Sequence, residues 1–219
     1  MKVLFDFLKE LRENNNREWF NENKQGYEAS KEQILFFTEL MIQEIHKFDA
    51  DVPLIDPKDC LFRIFRDVRF SHDKSPYKTH FGSFIAKGGR KSDRAGYYIH
   101  LEPGNSFLGG GVWHPEAAPL KAIRTEILDH PEALKAVLDD EKFKKYYPSI
   151  EGEKLKTAPK GFPKDFEQVD LLRYKSYAFG FQVEDQTVLG DDFVSLAVDA
   201  FRELSKANRF LNDALDKWC

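Results

Sequence analysis

Arg66-Asp67-Val68-Arg69-Phe70-Ser71-His72-Asp73-Lys74-Ser75-Pro76-Tyr77-Lys78 packs cations, carboxylates and hydroxyls into one short run. Such a run has the chemistry of an anion-binding mouth. Arginine offers a planar two-pronged donor to phosphate or carboxylate, lysine adds a compact charge, and serine and tyrosine hydroxyls complete a shell. With Arg63 just upstream, the candidate ligand-binding residues are Arg63, Arg66, Asp67, Arg69, Lys74, Tyr77 and Lys78. The competing reading is structural. Asp67 and Asp73 sit among Arg and Lys, and carboxylates so placed pair with their neighbours and staple a strand to its loop, a small contribution when the pairs face water.

The histidines are His46, His72, His80, His100, His114 and His130. Imidazole is the usual general base near neutral pH and the usual metal ligand. No two of them, and no histidine with a nearby glutamate, show the HxH, HxxxH or HxxE spacing of a metal site. The only cysteines are Cys60 and Cys219, so no metal site is expected. On a strand, His100 shares a face with Tyr98 and Glu102, which is either an acid–base set or a polar face meeting water. Gly109-Gly110-Gly111 admits a close backbone approach to phosphate, or a tight turn before Trp113, but lacks the P-loop and dinucleotide fingerprints. There is no nucleophile-elbow pentapeptide either. Lys154, Lys156, Lys160, Lys164, Arg173 and Lys175 form a second, looser basic set in a loop rich in Lys, Gly and Pro.

These side chains need a scaffold. Val3, Leu4, Phe7, Leu8 and Leu11 recur at helical spacing; Asn14 to Asn16 interrupt them and offer an N-cap to a long helix carrying Trp19, Phe20, Tyr27, Ile34, Phe37, Leu40, Met41, Ile45 and Phe48. From Leu61 the period changes to two, which predicts a strand with Phe62, Ile64, Val68 and Phe70 on one side. Arg66 would then emerge from the apolar side and need a carboxylate or a route to water. Further strands are expected at 82–86, 96–102 and 106–108, two consecutive helices after Pro115, and a final helical region over 191–215 with a possible break near Asn208. The fold class predicted is α+β: a mainly antiparallel sheet from the middle third, packed against N- and C-terminal helices.

The run Arg63-Ile64-Phe65-Arg66-Asp67-Val68-Arg69-Phe70-Ser71, with Asp73-Lys74 and Pro76-Tyr77-Lys78, resembles the hallmark of the conserved hypothetical proteins grouped as domain of unknown function 2461. The likeness continues in Asn14-Asn15 with Trp19-Phe20, in Gly96 to Leu101, in Gly109 to Trp113, in Leu120 with Ile123-Arg124, and in Leu155-Lys156 with Pro159 to Phe162. It implies a single domain over residues 1–219. It brings no reaction, substrate, cofactor or catalytic residue with it.

A formal charge of −4 argues against a surface wholly committed to nucleic acid or anionic membrane. Between Arg63 and Arg94, however, nine Lys and Arg stand against three Asp, so a cationic excess exists locally. Twenty phenylalanines demand a packed core. Two cysteines make no disulfide framework, both thiols read as reduced, and no apolar run is long enough for a signal core or a bilayer span, so the expected compartment is the cytoplasm.

Three functional readings follow. In the first, which ranks ahead, the Arg/Lys/Tyr cluster binds or turns over a small anionic ligand, such as a phosphorylated one, and its side chains converge on a concave site. In the second, residues 63–94 form a basic patch for nucleic acid or a protein partner, with Tyr97, Tyr98 or Trp113 available for stacking. In the third, the charged motif is an ion-pair network that specifies the fold, and the function lies elsewhere.

Overall fold

Asn14 caps the end of the first helix and Asn16 starts the next: the Asn16 Oδ1 accepts the Trp19 backbone N–H at 2.9 Å, the N-cap bond expected of asparagine. A computed structural model describes residues 1–218, so Cys219 and its expected reduced thiol lie outside the described residues. Its helices are α1 (Lys2–Glu13), α2 (Arg17–Glu22), α3 (Lys24–His46), α4 (Pro57–Cys60), α5 (Ala117–Asp129), α6 (Pro131–Asp139), α7 (Glu141–Tyr146), α8 (Val169–Leu172), α9 (Asp185–Leu189) and α10 (Phe193–Trp218). The strands β1 (Phe81–Ile85), β2 (Gly96–Leu101), β3 (Ser106–Val112) and β4 (Tyr177–Val183) form one antiparallel sheet in the order β1-β2-β3-β4. The α+β class expected from the sequence is therefore the fold observed.

Four expectations about elements are corrected. The long second helix is broken at Asn23 into α2 and α3. Residues 61–80 form no regular strand; they pair loosely with 76–83 through two isolated bridges, Leu61 with Ser83 and Phe65 with Tyr77. Pro76 has no N–H for a ladder, and the Asp67 and Asp73 side chains accept the Arg69 and Ser75 backbone N–H groups at 3.3 and 2.9 Å, which bends the chain into turns. The glycine run is not a turn but the second half of β3. A Cβ on Gly109, Gly110 or Gly111 would collide with the carbonyl oxygen of Phe179, Gly96 or Tyr177 respectively, so the glycines are there to let strands close. Finally, α10 runs unbroken past Asn208, which is buried and donates from Nδ2 to the Gly96 carbonyl at 3.0 Å.

The chain divides into two compact units, each gathered from separate segments. The first comprises Met1–Arg90, Tyr98–Leu108 and Gln182–Val198. Its core is α1 packed on α3, with Leu4, Leu8, Leu11, Ile34, Met41 and Ile45 fully buried and an aromatic cluster in which Phe20 stacks on Tyr77 at 3.9 Å. The second comprises Lys91–Tyr97, Gly109–Phe181 and the residues from Asp199 onward. There the buried stripe of α10, including Ala200, Phe201, Leu204 and Leu211, meets Tyr97 edge-on at 5.4 Å, and Phe143 of α7 packs edge-on against Phe179 at 5.2 Å. Burying aromatic rings of this size is the main stabilising contribution of such cores, roughly 1.5–3 kcal/mol per side chain.

Candidate functional site

β2 alternates. Tyr97, Ile99 and Leu101 are fully buried, which turns Tyr98 and His100, and Glu102 just past the strand end, to the other side. Because β2 lies between β1 and β3, His100 has neighbours on both flanks: the His80 ring, immediately before β1, at 4.2 Å, and the Phe107 ring of β3 stacked at 4.6 Å. The Tyr98 ring contacts Phe107 at 5.5 Å and the Phe62 edge at 6.2 Å. The result is a row of titratable side chains set in an aromatic surround.

Hydrogen bonds run along that row. Tyr98 Oη and His100 Nδ1 are 3.2 Å apart, and His100 Nε2 and Glu102 Oε2 are also 3.2 Å apart. Glu102 is held from several sides: Thr79 Oγ1 donates to Oε1 at 2.7 Å, Asn105 Nδ2 donates to Oε2 at 3.1 Å, and Arg12 stands 3.9 Å from Oε1. Ser106 Oγ, which accepts the Glu102 N–H at 3.0 Å and donates to its carbonyl at 2.9 Å, closes the turn that carries Asn105. With the carboxylate ionised, the bonding pattern assigns one neutral tautomer: Nε2–H donates to Glu102, and Nδ1 accepts from the Tyr98 hydroxyl.

The electrostatics follow from burial and these partners. Burial alone would raise the Glu102 carboxyl, but the hydrogen bonds from Thr79, Asn105 and His100 outweigh it and hold the group below the usual carboxylate range. Burial lowers His100, a shift only partly opposed by Glu102. His80 is pushed down to about 4, chiefly by burial and then by the charge of His100. Burial drives the Tyr98 hydroxyl up to about 12. Lys78, half-buried with its Nζ 5.7 Å above the Phe62 ring, is lowered by burial and by the positive charge of Arg63. At neutral pH the row therefore holds a proton-donating phenol, two neutral imidazoles and a carboxylate, beside the Lys78 ammonium.

The motif residues are placed as follows. Arg66 emerges from the inner side of its segment and meets the Asp73 carboxylate, with the Ser75 carbonyl at 3.3 Å and Ser71 Oγ at 3.4 Å, so the carboxylate partner its position required is present. Asp73 is held down at about 2, first by the Ser75 hydroxyl and N–H and then by Arg66. Arg69 grips Asp67 with two donors, at 2.9 and 2.6 Å, and Lys74 Nζ donates to the Val68 carbonyl at 3.0 Å. Tyr77 is buried in the aromatic cluster. Arg63 and Lys78 differ: among the described residues neither has a carboxylate within ion-pair distance. The sequence-derived set is thus divided, with Arg66, Asp67, Arg69 and Lys74 engaged within their own loop, Tyr77 in the core, Lys78 beside the histidine row, and Arg63 within electrostatic reach of both Lys78 and Asp67. The second basic set belongs to the other unit, where Lys175 pairs with Glu153 at 2.6 Å and Arg173 with Asp170 at 2.8 Å.

His80 was not singled out by its spacing, because its partners lie 20 or more residues away. Folding brings one donor atom each from His80, His100 and Glu102 within 4.8 Å of one another. The pairing of β1 with β2, which also lets Thr79 reach Glu102, makes that neighbourhood, and no short motif encodes it.

An α+β protein with a half-buried lysine beside a Tyr–His–Glu row is the class defined by the fold and site. The chain belongs to the family described as Conserved hypothetical protein (DUF2461), whose model matches residues 3–210. No curated protein and no solved structure matches it. Among the described residues no helix is long and apolar enough to cross a membrane.

Proposed function

We propose that the face carrying Lys78, His80, Tyr98, His100 and Glu102 binds a small anionic ligand and acts on it by proton transfer. The observation that carries this reading is the hydroxyl–imidazole–carboxylate row beside Lys78, a half-buried cation with no carboxylate within ion-pair distance among the described residues. Lys78 supplies the charge that attracts the anion. His100 Nδ1 takes the Tyr98 hydroxyl proton as the phenolate oxygen takes one from the ligand, and Glu102 orients the imidazole and stabilises the imidazolium so formed, the division of labour familiar from hydroxyl–imidazole–carboxylate sets. Half-burial strengthens each of these interactions relative to water.

The charge distribution favours a small ligand over a polyanion. Arg66, Arg69 and Arg94 face carboxylates, and Lys74 and Arg90 are turned onto backbone carbonyls, so much of the local cationic excess is already neutralised or directed inward. A long nucleic acid needs many free cations along its backbone.

The test is a thermal-shift and calorimetric screen of chelator-treated protein against inorganic phosphate, phosphorylated and carboxylated metabolites, nucleotides and short oligonucleotides. A ligand present at about 100 times its Kd stabilises the native state by about 2.7 kcal/mol. The expected result is that one small anion raises Tm in the wild type and in Arg69→Ala but not in Lys78→Met. Stabilisation by oligonucleotides alone, or by an anion indifferent to Lys78→Met, overturns the reading.

A further inference from the structure

We propose that His80, His100 and Glu102 form a three-ligand site for a divalent transition ion of the zinc class. The three offer one donor atom each, all within 4.8 Å of one another, from a half-buried, a buried and a half-buried side chain respectively. Two imidazoles and a carboxylate suit zinc, cobalt(II) or iron(II) and do not suit calcium or magnesium, which take oxygen ligands.

The geometry of one leg already fits. Two ligands bound to zinc at their ordinary lengths and a tetrahedral angle stand about 3.3 Å apart. His100 Nε2 and Glu102 Oε2 are separated by 3.2 Å. Closing the third leg asks the His80 ring to settle inward by up to about 1.5 Å. Among the described residues no hydrogen bond holds either nitrogen of that ring, and its contact with His100 is a ring stack at 4.2 Å. The imidazole is free to tilt without losing a polar partner.

The groups behind the ligands are those a metal site requires. A metal-bound imidazole donates its other N–H to a fixed acceptor, and ligating carboxylates are themselves hydrogen-bonded. Here Tyr98 Oη lies 3.2 Å from His100 Nδ1, while Thr79 and Asn105 donate to Glu102 at 2.7 and 3.1 Å. Metal binding needs only the other neutral tautomer of His100. The proton leaves Nε2, which becomes the ligand, and occupies Nδ1, which then donates to Tyr98 Oη. No net proton is lost from the ring. Phe107 stacked on His100 limits water on that flank and fixes the ring plane. Three protein ligands leave a fourth position for water or for an oxygen of an anion. The inference rests on the preceding reading only in placing that anion on the same face.

The test uses the whole protein, freed of metal by chelator and dialysed, and titrates it with cobalt(II) and zinc(II) alone, in the absence of any added anion beyond a non-coordinating buffer. The expected result is one equivalent per chain at micromolar Kd or tighter, with cobalt(II) absorption between about 500 and 700 nm, as four-coordinate sites with mixed nitrogen and oxygen ligands give. His80→Ala and Glu102→Gln should abolish the stoichiometric uptake, and Tyr98→Phe should weaken it by about 10- to 100-fold. Because a variant can misfold, the wild type carries a second readout: manganese(II) at substoichiometric ratio should broaden the His80 and His100 ring proton resonances ahead of those of His46 and His130. No uptake, uptake unchanged in His80→Ala, or broadening that spares His80 and His100 overturns the site. Metal uptake by wild-type protein that binds none of the anions overturns the anion reading alone; anion binding by protein that takes up no metal overturns this one alone.

Discussion

Asn15 brackets Tyr77: its Nδ2 donates to the Tyr77 carbonyl at 2.9 Å while its Oδ1 accepts the Tyr77 N–H at 3.1 Å. A side-chain amide here replaces a neighbouring strand, satisfying both polar groups of a residue whose ring is buried against Phe20. Asn15→Leu removes both partners and leaves the Tyr77 backbone unsatisfied, so it should lower unfolding free energy by about 2–3 kcal/mol in urea titrations. Because Lys78 follows directly, the same variant should also weaken binding of the proposed anion. A variant of unchanged urea midpoint would show that water replaces the amide without loss.

Gly110→Ala and Gly82→Ala should separate fold from site. A Cβ at Gly110 meets the Gly96 carbonyl oxygen and the Leu204 side chain at 2.8 Å, neither of which can retreat in a packed sheet. That variant should lose about 3 kcal/mol or more. At Gly82 the added methyl meets Tyr98 Oη at 2.7 Å, the far end of a side chain. Gly82→Ala should keep the circular dichroism of the wild type yet shift the His100 ring resonances, because the phenol is pushed away from Nδ1.

Arg66→Ala should loosen the loop it anchors. Its partners Ser71, Asp73 and Ser75 all lie within ten residues, and the Asp73 carboxylate it meets is exposed while Arg66 itself is part-buried. Surface pairs contribute little to global stability. Limited trypsin digestion should therefore cut faster at Arg69 and Lys74 while the urea midpoint barely moves. A large fall in the midpoint would mean that the motif is the fold-specifying network.

Cys60 is fully buried, and burial pushes its thiol up to about 12; Tyr147 and Tyr177 are likewise raised by burial. Each of these acids ionises more readily in the unfolded chain. The stability they contribute is fully present below the unfolded values, near 9 for the thiol and 10 for the phenols, and is lost as pH rises toward the folded ones. Urea midpoints should fall progressively above about pH 9, at up to about 1.36 kcal/mol per pH unit for each differentially ionised group. In a Cys219→Ser background, native protein at pH 8 should show no thiol reactive toward an aromatic disulfide reagent, and one after denaturation. A reactive native thiol would contradict the burial of Cys60.

Part of the site was legible before folding. The period-two pattern of Gly96 to Leu101 placed Tyr98, His100 and Glu102 on one face, since alternation is a property of any strand. The alternation after Leu61 holds as burial only in part: Ile64 is inward and Arg63, Asp67 and Arg69 outward, but Phe70, expected on the apolar side, is 94% exposed, and the hydrogen-bond ladder that would make a strand is missing. β4 escaped notice, although Tyr177, Phe179, Phe181 and Val183 alternate as plainly as β2 does. Its pairing partner lies more than sixty residues upstream, and nothing local marks it as a member of the same sheet.

Local periodicity, turn residues and capping side chains were enough for the sequence to determine the α+β class, the helices at both ends, the Asn16 cap and the family. Those features depend on neighbours within a few positions. Only the tertiary structure decided which cations remain unpaired, why three glycines stand in a row, and that His80 lies beside His100 and Glu102. Such relationships depend on which strand edges meet and how closely. That is set by the packing of the whole sheet against its helices, so no spacing along the chain records it.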